Sequence, residues 1–179
     1  MKVPFVDLKS QYQSIKDEVS PALNRILESC AFVLGESVFE FEKAFAKYHE
    51  AENAVAVNSG TTALQLALMS FNIGKGDEVI IPANTFIATA EAVSLVGAVP
   101  VFVDVEEKTM NIDVGLIDKS ITGRTKAIIP VHLFGQPAAI DEIKEVADKN
   151  KLIMIEDACQ AHGSVYKGKK VGALGQAGC

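Results

Sequence analysis

From residue 54 onward, short apolar runs alternate with segments whose apolar residues recur at helical spacing, and this alternation restricts the fold more than any other feature of the chain. The strand-like runs are AVAVN, EVIIP, VPVFVD, TKAIIPVHL and KLIMIED, and helical segments such as TTALQLALMSF and AIDEIKEVADKN separate them. These runs are continuously apolar, as strands are when helices cover both faces of a parallel sheet. The sequence therefore predicts an α/β fold with a three-layer, doubly wound and mainly parallel sheet.

Residues 1–50 contain no such runs and are predicted to be helical. Ser20 followed by Pro21 fits an N-cap with proline in the first helical position, and Ser37-Val-Phe-Glu40 fits a capping box at the start of a second helix. The apolar residues of the second helix recur at spacings of three and four, which predicts a core-facing stripe. They are Val38, Phe41, Phe45 and Tyr48.

Composition narrows the class of protein. The chain has 179 residues, of which 49% are hydrophobic and 22% are charged, which is typical of one ordinary globular domain. Its formal net charge of -6 argues against nucleic-acid binding, which depends on clustered Lys and Arg. The N-terminus lacks the apolar core of a secretory signal, and Gly97 and Pro100 interrupt the most apolar stretch. We therefore expect a cytoplasmic protein with no membrane segment.

The cysteines suggest neither a disulfide framework nor a metal site. There are three, Cys30, Cys159 and Cys179, and they are widely spaced with no CxxC pair. An odd, scattered set of this kind is typical of reduced thiols. We predict no bound metal.

The predicted sheet restricts where a ligand can bind. In open parallel sheets, ligands occupy the crevice beyond the carboxyl ends of the strands. The segments that follow the strand-like runs are therefore the candidate site. They are residues 58–62, 82–86, 104, 132–135 and 156–160.

A phosphate cradle is predicted at the first of these segments, in AVAVNSGTTALQL. Ser59, Gly60 and Thr61 lie where a strand-like run passes into a helix, so backbone N–H groups at the helix start and the positive end of the helix dipole would face the crevice. The alternative is that Ser59 or Thr61 merely caps the helix. The chain has neither GxGxxG nor GxxxxGK[ST], which argues against a dinucleotide site and a P-loop.

An acidic pair, Glu156 and Asp157, ends the last strand-like run. A carboxylate there is partly desolvated and needs a cation or a proton donor. Facing a protonated ring nitrogen, it would contribute about 4 kcal/mol at an effective dielectric of about 20, or about three pK units of the ring nitrogen. It could equally cap a loop or pair with a lysine. Phe86 could stack on a planar ligand or belong to the core, and His132 receives no role.

Several motifs in order resemble a known family. SGTTAL, GDEVIIPANTFIATA, GAVPVFVDVEEKTMNID, RTKAIIPVHLFGQPAAIDEI and IEDACQAHGSVYKGKKVG are similar to the pyridoxal-phosphate-dependent sugar aminotransferases of the DegT/DnrJ/StrS type. The openings VPFVDLKSQYQSIKDEV and FVLGESVFEFEKAFAKYH also resemble that family, so the likeness covers essentially the whole chain. It implies the aspartate-aminotransferase-like architecture called fold type I.

The resemblance implies a role for each matching residue. Ser59, Gly60 and Thr61 would hold the phosphate of pyridoxal 5'-phosphate, Asp157 would pair with the ring nitrogen, and the remaining two positions, Phe86 and Gln160, would stack on the ring and reach its hydroxyl. The implied reaction moves an amino group from an amino acid, typically glutamate, to a nucleotide-linked keto sugar in polysaccharide, lipopolysaccharide or deoxyaminosugar biosynthesis. Full-length relatives are implied to be homodimers.

One family feature is not found in the sequence. The Schiff-base lysine of the family lies in a Ser-Phe-x-x-x-Lys type motif, which the resemblance places beyond Cys179; Lys167, Lys169 and Lys170 match other lysines. We therefore expect residues 1–179 to be a single incomplete large domain, with a helical segment over 1–50, a sheet part over 51–179, no small domain and no activity when isolated. Alternatives are a sugar dehydratase of the same family, in which histidine replaces the lysine, and a non-catalytic partner subunit. A nicotinamide-dependent dehydrogenase is disfavoured by the missing glycine motif.

Overall fold

The computed structural model describes residues 3–179, whose contacts divide into one unit that ends at Lys43 and another that begins at Ala44. The first unit contains α1 (Leu8–Ser29), which Asp7 caps by accepting the N–H of Ser10 at 3.0 Å. Pro21 lies inside α1, so the predicted helix start at Ser20 and Pro21 is wrong. α1 begins well before the proline, at the N-cap that Asp7 forms.

α2 (Glu36–His49) begins in the first unit and ends in the second. It starts one residue before Ser37, so the predicted capping box does not form its N-terminus. Its predicted core-facing stripe is only partly buried, because Val38 and Phe45 are half-buried whereas Phe41 and Tyr48 are exposed. The buried residues of α2 are Ala46 and His49.

The second unit is built on a parallel sheet of five strands, namely β1 (Glu78–Pro82), β2 (Val99–Val103), β3 (Thr125–Ile128), β4 (Ile153–Glu156) and β7 (Ala177–Gly178). Their order across the sheet is β2-β1-β3-β4-β7. The four remaining helices are α3 (Gly60–Ser70), α4 (Ile87–Leu95), α5 (Val114–Ser120) and α6 (Ile140–Asn150). The predicted α/β class with a mainly parallel sheet is confirmed.

Two apolar clusters cover the two faces of this sheet. Val79 and Ile81 of β1 pack with residues of α3 and α4, whereas Ile80 between them packs with residues of α5 and α6. Adjacent side chains of a strand point to opposite faces, so both faces of a continuously apolar strand are buried. This is the three-layer arrangement that the uninterrupted apolar runs predicted.

Two regions of the second unit lie outside this parallel sheet. β5 (Val165–Tyr166) and β6 (Lys169–Lys170) form a short antiparallel hairpin. The predicted first strand, AVAVN at 54–58, is not a strand, and no strand of residues 3–179 pairs with it. Val55 is 80% exposed. Within residues 3–179, no helix has both the length and the apolar character needed to cross a bilayer.

Candidate functional site

A cleft of about 200 Å³ lies at the carboxyl end of the parallel sheet. β1 lies between β2 and β3, so the strands that follow β1 in the chain are added first on one side of it and then on the other. Ligands of open α/β sheets bind where the strand order reverses in this way. Residues that follow β1, β3 and β4 line the cleft together with the start of α3. Among them are five of the six predicted site residues, namely Gly60, Thr61, Phe86, Asp157 and Gln160.

The start of α3 supplies backbone donors to the cleft. Ser59 caps the helix, since its Oγ accepts the N–H of Thr62 at 3.1 Å and its carbonyl accepts that of Ala63 at 3.0 Å. The N–H groups of Gly60 and Thr61 precede this first intrahelical bond, and both residues line the cleft. An anion is stabilised at such a helix start by the N–H groups and by the helix dipole. The side chain of Ser59 is used as a cap.

Gly60 is constrained by a neighbour that the sequence did not identify. A Cβ at this position would lie 2.5 Å from Sγ of Cys159, closer than side-chain carbons approach other atoms. Glycine therefore allows the α3 start to pack closely against the segment after β4, and a larger residue would displace the Cys159 thiol. The same close packing places the Cys159 sulfur in the wall of the cleft, beside the predicted phosphate cradle.

Phe86 offers an apolar face to the cleft. It is the N-cap residue of α4, with extended backbone angles and no side-chain cap, and the residue is 67% exposed. It is therefore not a core residue in this chain. Aromatic rings stack on planar ligands through such exposed faces.

Asp157 is the buried charge of the cleft. It follows β4, forms a parallel bridge with Val131 and is only 7% exposed. Its Oδ2 accepts the hydroxyl of Thr89 at 2.7 Å, and its Oδ1 accepts a long bond of 3.4 Å from the N–H of Cys159. None of the ion pairs among residues 3–179 includes Asp157. A buried carboxylate without a cation is costly, so this site favours a cationic ligand.

Two thiols lie in the field of Asp157. Burial is the largest cause that raises the pKa of Cys159 to about 12, and the negative charge of Asp157 adds to it. The same two causes raise the pKa of Cys179 to about 12. Both thiols are therefore protonated at neutral pH and are weak nucleophiles there.

Gln160 is held by the loop after β3. Its Oε1 accepts the N–H of Phe134 at 2.9 Å, within the short 3-10 turn Leu133–Gly135. Because the amide oxygen is engaged, the Nε2 amino group remains as the donor of this side chain. A donor at the cleft suits an acceptor on a ligand, such as a ring oxygen.

His132 and Glu156 form a buried structural pair outside the cleft. His132 Nδ1 accepts the N–H of Ala138 at 3.0 Å, so the ring proton lies on Nε2, which donates to Glu156 at 3.0 Å. Glu156 also accepts three backbone N–H groups at 2.6–2.8 Å. They belong to Gly172, Leu174 and Gly175. The two acidic neighbours thus have separate roles, since Glu156 fastens the segment before β7 while Asp157 faces the cleft.

Replacing Glu156 with glutamine is expected to reduce the free energy of unfolding by about 3 kcal/mol at pH 7, because an amide cannot accept all four donors. Burial would raise the pKa of Glu156, but its hydrogen bonds outweigh burial and lower it. Stability from a lowered pKa is present above the unfolded value and is lost as pH falls through the folded value. Urea denaturation at pH 7 and pH 4 should show the difference shrinking at pH 4. Glu145→Gln on the exposed side of α6 is the control, and equal losses in both variants would contradict the role.

The loop lysines do not line the cleft. Lys167 pairs with Asp141 at 2.6 Å, and Lys170 donates to the carbonyl of Tyr48 at 2.5 Å. Together with Lys169 they border a separate surface depression of about 410 Å³ next to α6. That none of these lysines is the Schiff-base residue remains a prediction.

The sequence missed two hydroxyls at the site. Thr85 and Thr89 line the cleft, and Thr89 contacts Asp157. Both belong to the IIPANTFIATA stretch, in which only Phe86 had been given a role. Thr85 lies in the predicted segment 82–86 that follows β1, but it precedes the N-cap of α4, so helical spacing did not link it to Thr89.

Comparison with known proteins identifies relatives over nearly the whole chain. The model of the DegT/DnrJ/EryC1/StrS aminotransferase family matches residues 13–179. The dTDP-3-amino-3,4,6-trideoxy-alpha-D-glucose transaminase of Streptomyces venezuelae is 48% identical over 172 residues, which are 96% of this chain and 45% of the relative. The chain thus spans about half the length of this relative.

Solved structures agree with this likeness. The crystal structure of Streptomyces venezuelae DesV in complex with a ketimine intermediate matches with a TM-score of 0.94 and 48% identity, over 96% of this chain and 46% of that one. The Escherichia coli GDP-4-keto-6-deoxy-D-mannose-3-dehydratase with bound hydrated pyridoxal phosphate matches with a TM-score of 0.81 and 34% identity. That match covers 87% of this chain and 42% of the dehydratase.

Proposed function

The chain belongs to the DegT/DnrJ/EryC1/StrS aminotransferase family, and from this premise we propose that it is the cofactor-binding part of a pyridoxal-phosphate-dependent aminotransferase. The whole enzyme would move an amino group from an amino acid to a nucleotide-linked keto sugar. The observation that carries the proposal is Asp157, a buried carboxylate that faces the cleft without a cation. A protonated ring nitrogen supplies the missing charge.

The residues of the cleft fit the cofactor. The N–H groups of Gly60 and Thr61 suit its phosphate, the exposed ring of Phe86 suits its aromatic ring, and the Gln160 amide suits its hydroxyl. When bound, pyridoxal phosphate supplies an electron-withdrawing ring that stabilises negative charge on the reacting carbon. Asp157 strengthens this effect by holding a proton on the ring nitrogen.

The finer features of the proposal extend beyond this chain. We take glutamate as the amino donor, a homodimer as the assembly and the cytoplasm as the compartment, and we place the reaction in the synthesis of polysaccharides, lipopolysaccharide or deoxyaminosugars. We also take residues 1–179 as one large domain that the remaining length of the family completes. The support is the family match and the share of the relatives that the chain spans.

A hybrid enzyme tests the proposed function. It joins residues 1–179 to the downstream half of the Streptomyces venezuelae transaminase, to which this chain is 48% identical. We expect it to transfer an amino group from glutamate to a dTDP-linked keto sugar, measured by chromatography of the nucleotide sugars. The intact Streptomyces enzyme is the control. A folded hybrid that binds the cofactor but transfers no nitrogen would contradict the aminotransferase function of this half.

A sugar dehydratase is the second candidate, because the chain also matches the Escherichia coli dehydratase. The two functions share the cofactor site and differ in whether nitrogen is transferred or a hydroxyl is removed. The gene sequence downstream of codon 179 separates them, because the family's lysine, or the histidine that replaces it, is expected beyond Cys179. The hybrid cannot do so, since its downstream half comes from a transaminase.

A further inference from the structure

Two hydroxyl groups form a series of hydrogen bonds from the cleft to Asp157. Thr85 and Thr89 have their Oγ1 atoms 2.9 Å apart, and Oγ1 of Thr89 is 2.7 Å from Oδ2 of Asp157. Thr85 is half-buried and lines the cleft, whereas Thr89 is only 1% exposed. The bond between Thr89 and Asp157 joins residues 68 apart in sequence, from the start of α4 to the end of β4.

The donors and acceptors of these two hydrogen bonds fix which hydroxyl donates to which acceptor. A carboxylate only accepts, so Thr89 must donate its single hydroxyl proton to Asp157. Thr89 then has no proton left for Thr85, so Thr85 must donate to Thr89. Because Thr85 donates its only hydroxyl proton to Thr89, it can act toward the cleft only as a hydrogen-bond acceptor. Hydrogen bonds in such a series strengthen one another.

The same series orients the carboxylate. Oδ2 is occupied by a short bond from a buried hydroxyl, while the contact of Oδ1 with the Cys159 N–H is long at 3.4 Å. Oδ1 is therefore the oxygen with the greater remaining capacity to accept. Rotation of the carboxylate would break the bond to Thr89 and leave its buried hydroxyl without an acceptor, which is unfavourable.

We propose that Thr89, supported by Thr85, is a positioning residue that holds the Asp157 carboxylate in the orientation that receives the cofactor ring nitrogen. The inference rests on the proposed function, because it assigns the ring nitrogen as the partner of Asp157. Thr89 touches no ligand in this role. It acts through Asp157, so its effect is limited to ligands that carry a basic ring nitrogen.

The test compares two ligands on the hybrid enzyme freed of cofactor, because residues 1–179 carry every residue of the series but are expected to be an incomplete domain. The hybrid without substitutions is the unmodified chain of the comparison. Pyridoxamine 5'-phosphate is chosen because it binds without a covalent bond to lysine. Its 1-deaza analogue has CH in place of the ring nitrogen and keeps the phosphate, the hydroxyl and the shape. Equilibrium dialysis gives the Kd of each ligand for the unmodified chain and for three variants, Thr89→Val, Thr89→Ser and Thr85→Val.

Thr89→Val is expected to weaken binding of pyridoxamine 5'-phosphate by about 10-fold, the loss typical of a hydrogen bond to a charged group. Its affinity for the deaza analogue should stay within about 2-fold of the unmodified chain, on the usual conversion between affinity and free energy. Thr89→Ser keeps the hydroxyl and should restore affinity for pyridoxamine 5'-phosphate. Thr85→Val should have a smaller effect than Thr89→Val, because Thr89 can still donate to Asp157.

Each other result overturns a defined part of the inference. Equal weakening of both ligands by Thr89→Val would show a merely structural role for the threonine and would overturn the positioning role. Unchanged affinity for both ligands would overturn it as well. An unmodified chain that binds neither ligand would instead overturn the proposed cofactor site, and the positioning role with it.

Discussion

Replacing Asp157 with asparagine in the hybrid enzyme is expected to slow amino transfer by about 10²–10³-fold. Asparagine has nearly the same shape, and its oxygen can still accept the hydroxyl of Thr89. It carries no negative charge, however, so it cannot hold a proton on the ring nitrogen. The loss of about 3–4 kcal/mol of attraction between the carboxylate and the protonated ring corresponds to this decrease in rate.

The measurement is single-turnover transfer of nitrogen from glutamate, which isolates the chemical step from product release. Asp148→Asn on the exposed surface of α6 removes a charge of the same kind away from the cleft and is the matched control. Thermal unfolding of both variants shows whether the fold is kept. A rate for Asp157→Asn within about 3-fold of the parent, less than 1 kcal/mol on the usual conversion, would remove Asp157 from the mechanism.

The sheet could be predicted from the sequence because its signal is local. Strands β1 and β4 are buried on both faces, and a run of consecutive apolar residues reports this directly. The run at 54–58 has the same pattern but is not a strand of the described sheets, so an apolar run alone does not decide which segments join the sheet. The predicted helix start at Pro21 is wrong, because the preference of proline for the first turn does not exclude it from the interior of a longer helix.

A residue of the candidate site could be predicted from the sequence only where its position after a strand end was enough to place it at the cleft. Asp157 and Phe86 follow strand ends, and the rule for parallel sheets brings such residues to one edge. Their roles remain predictions, although both line one cleft. Thr89 could not be found in this way, because its contact with Asp157 depends on how α4 packs across the end of β4. The different roles of Glu156 and Asp157 were predictable, since adjacent residues of a strand face opposite sides.

Cys159 is expected to react with iodoacetamide at pH 8 about 10²–10³-fold more slowly than free cysteine. A thiol with a pKa of about 12 is about 0.01% thiolate at pH 8, against about a quarter for an ordinary thiol. The ratio of these thiolate fractions gives the slowing of about 10³-fold. Solvent screening weakens the effect of Asp157 on an exposed residue, which gives the lower value of about 10²-fold. The residue is exposed overall, but its sulfur packs against the start of α3, so the pH dependence of the rate is needed to separate a raised pKa from restricted access.

The pH dependence and a charge variant identify the cause. Peptide mapping by mass spectrometry follows alkylation of Cys159, with the exposed Cys30 as an internal check on the reagent. Between pH 7 and pH 10 the rate should rise about tenfold per pH unit without a plateau, because this whole range lies below the pKa. In Asp157→Asn the repulsive charge is gone, so the pKa of Cys159 should fall and its alkylation should become faster at every pH in this range. A rate that levels off near pH 9 would show that the pKa of Cys159 is not raised to about 12, and a rate that Asp157→Asn leaves unchanged would show that the carboxylate does not act on this thiol.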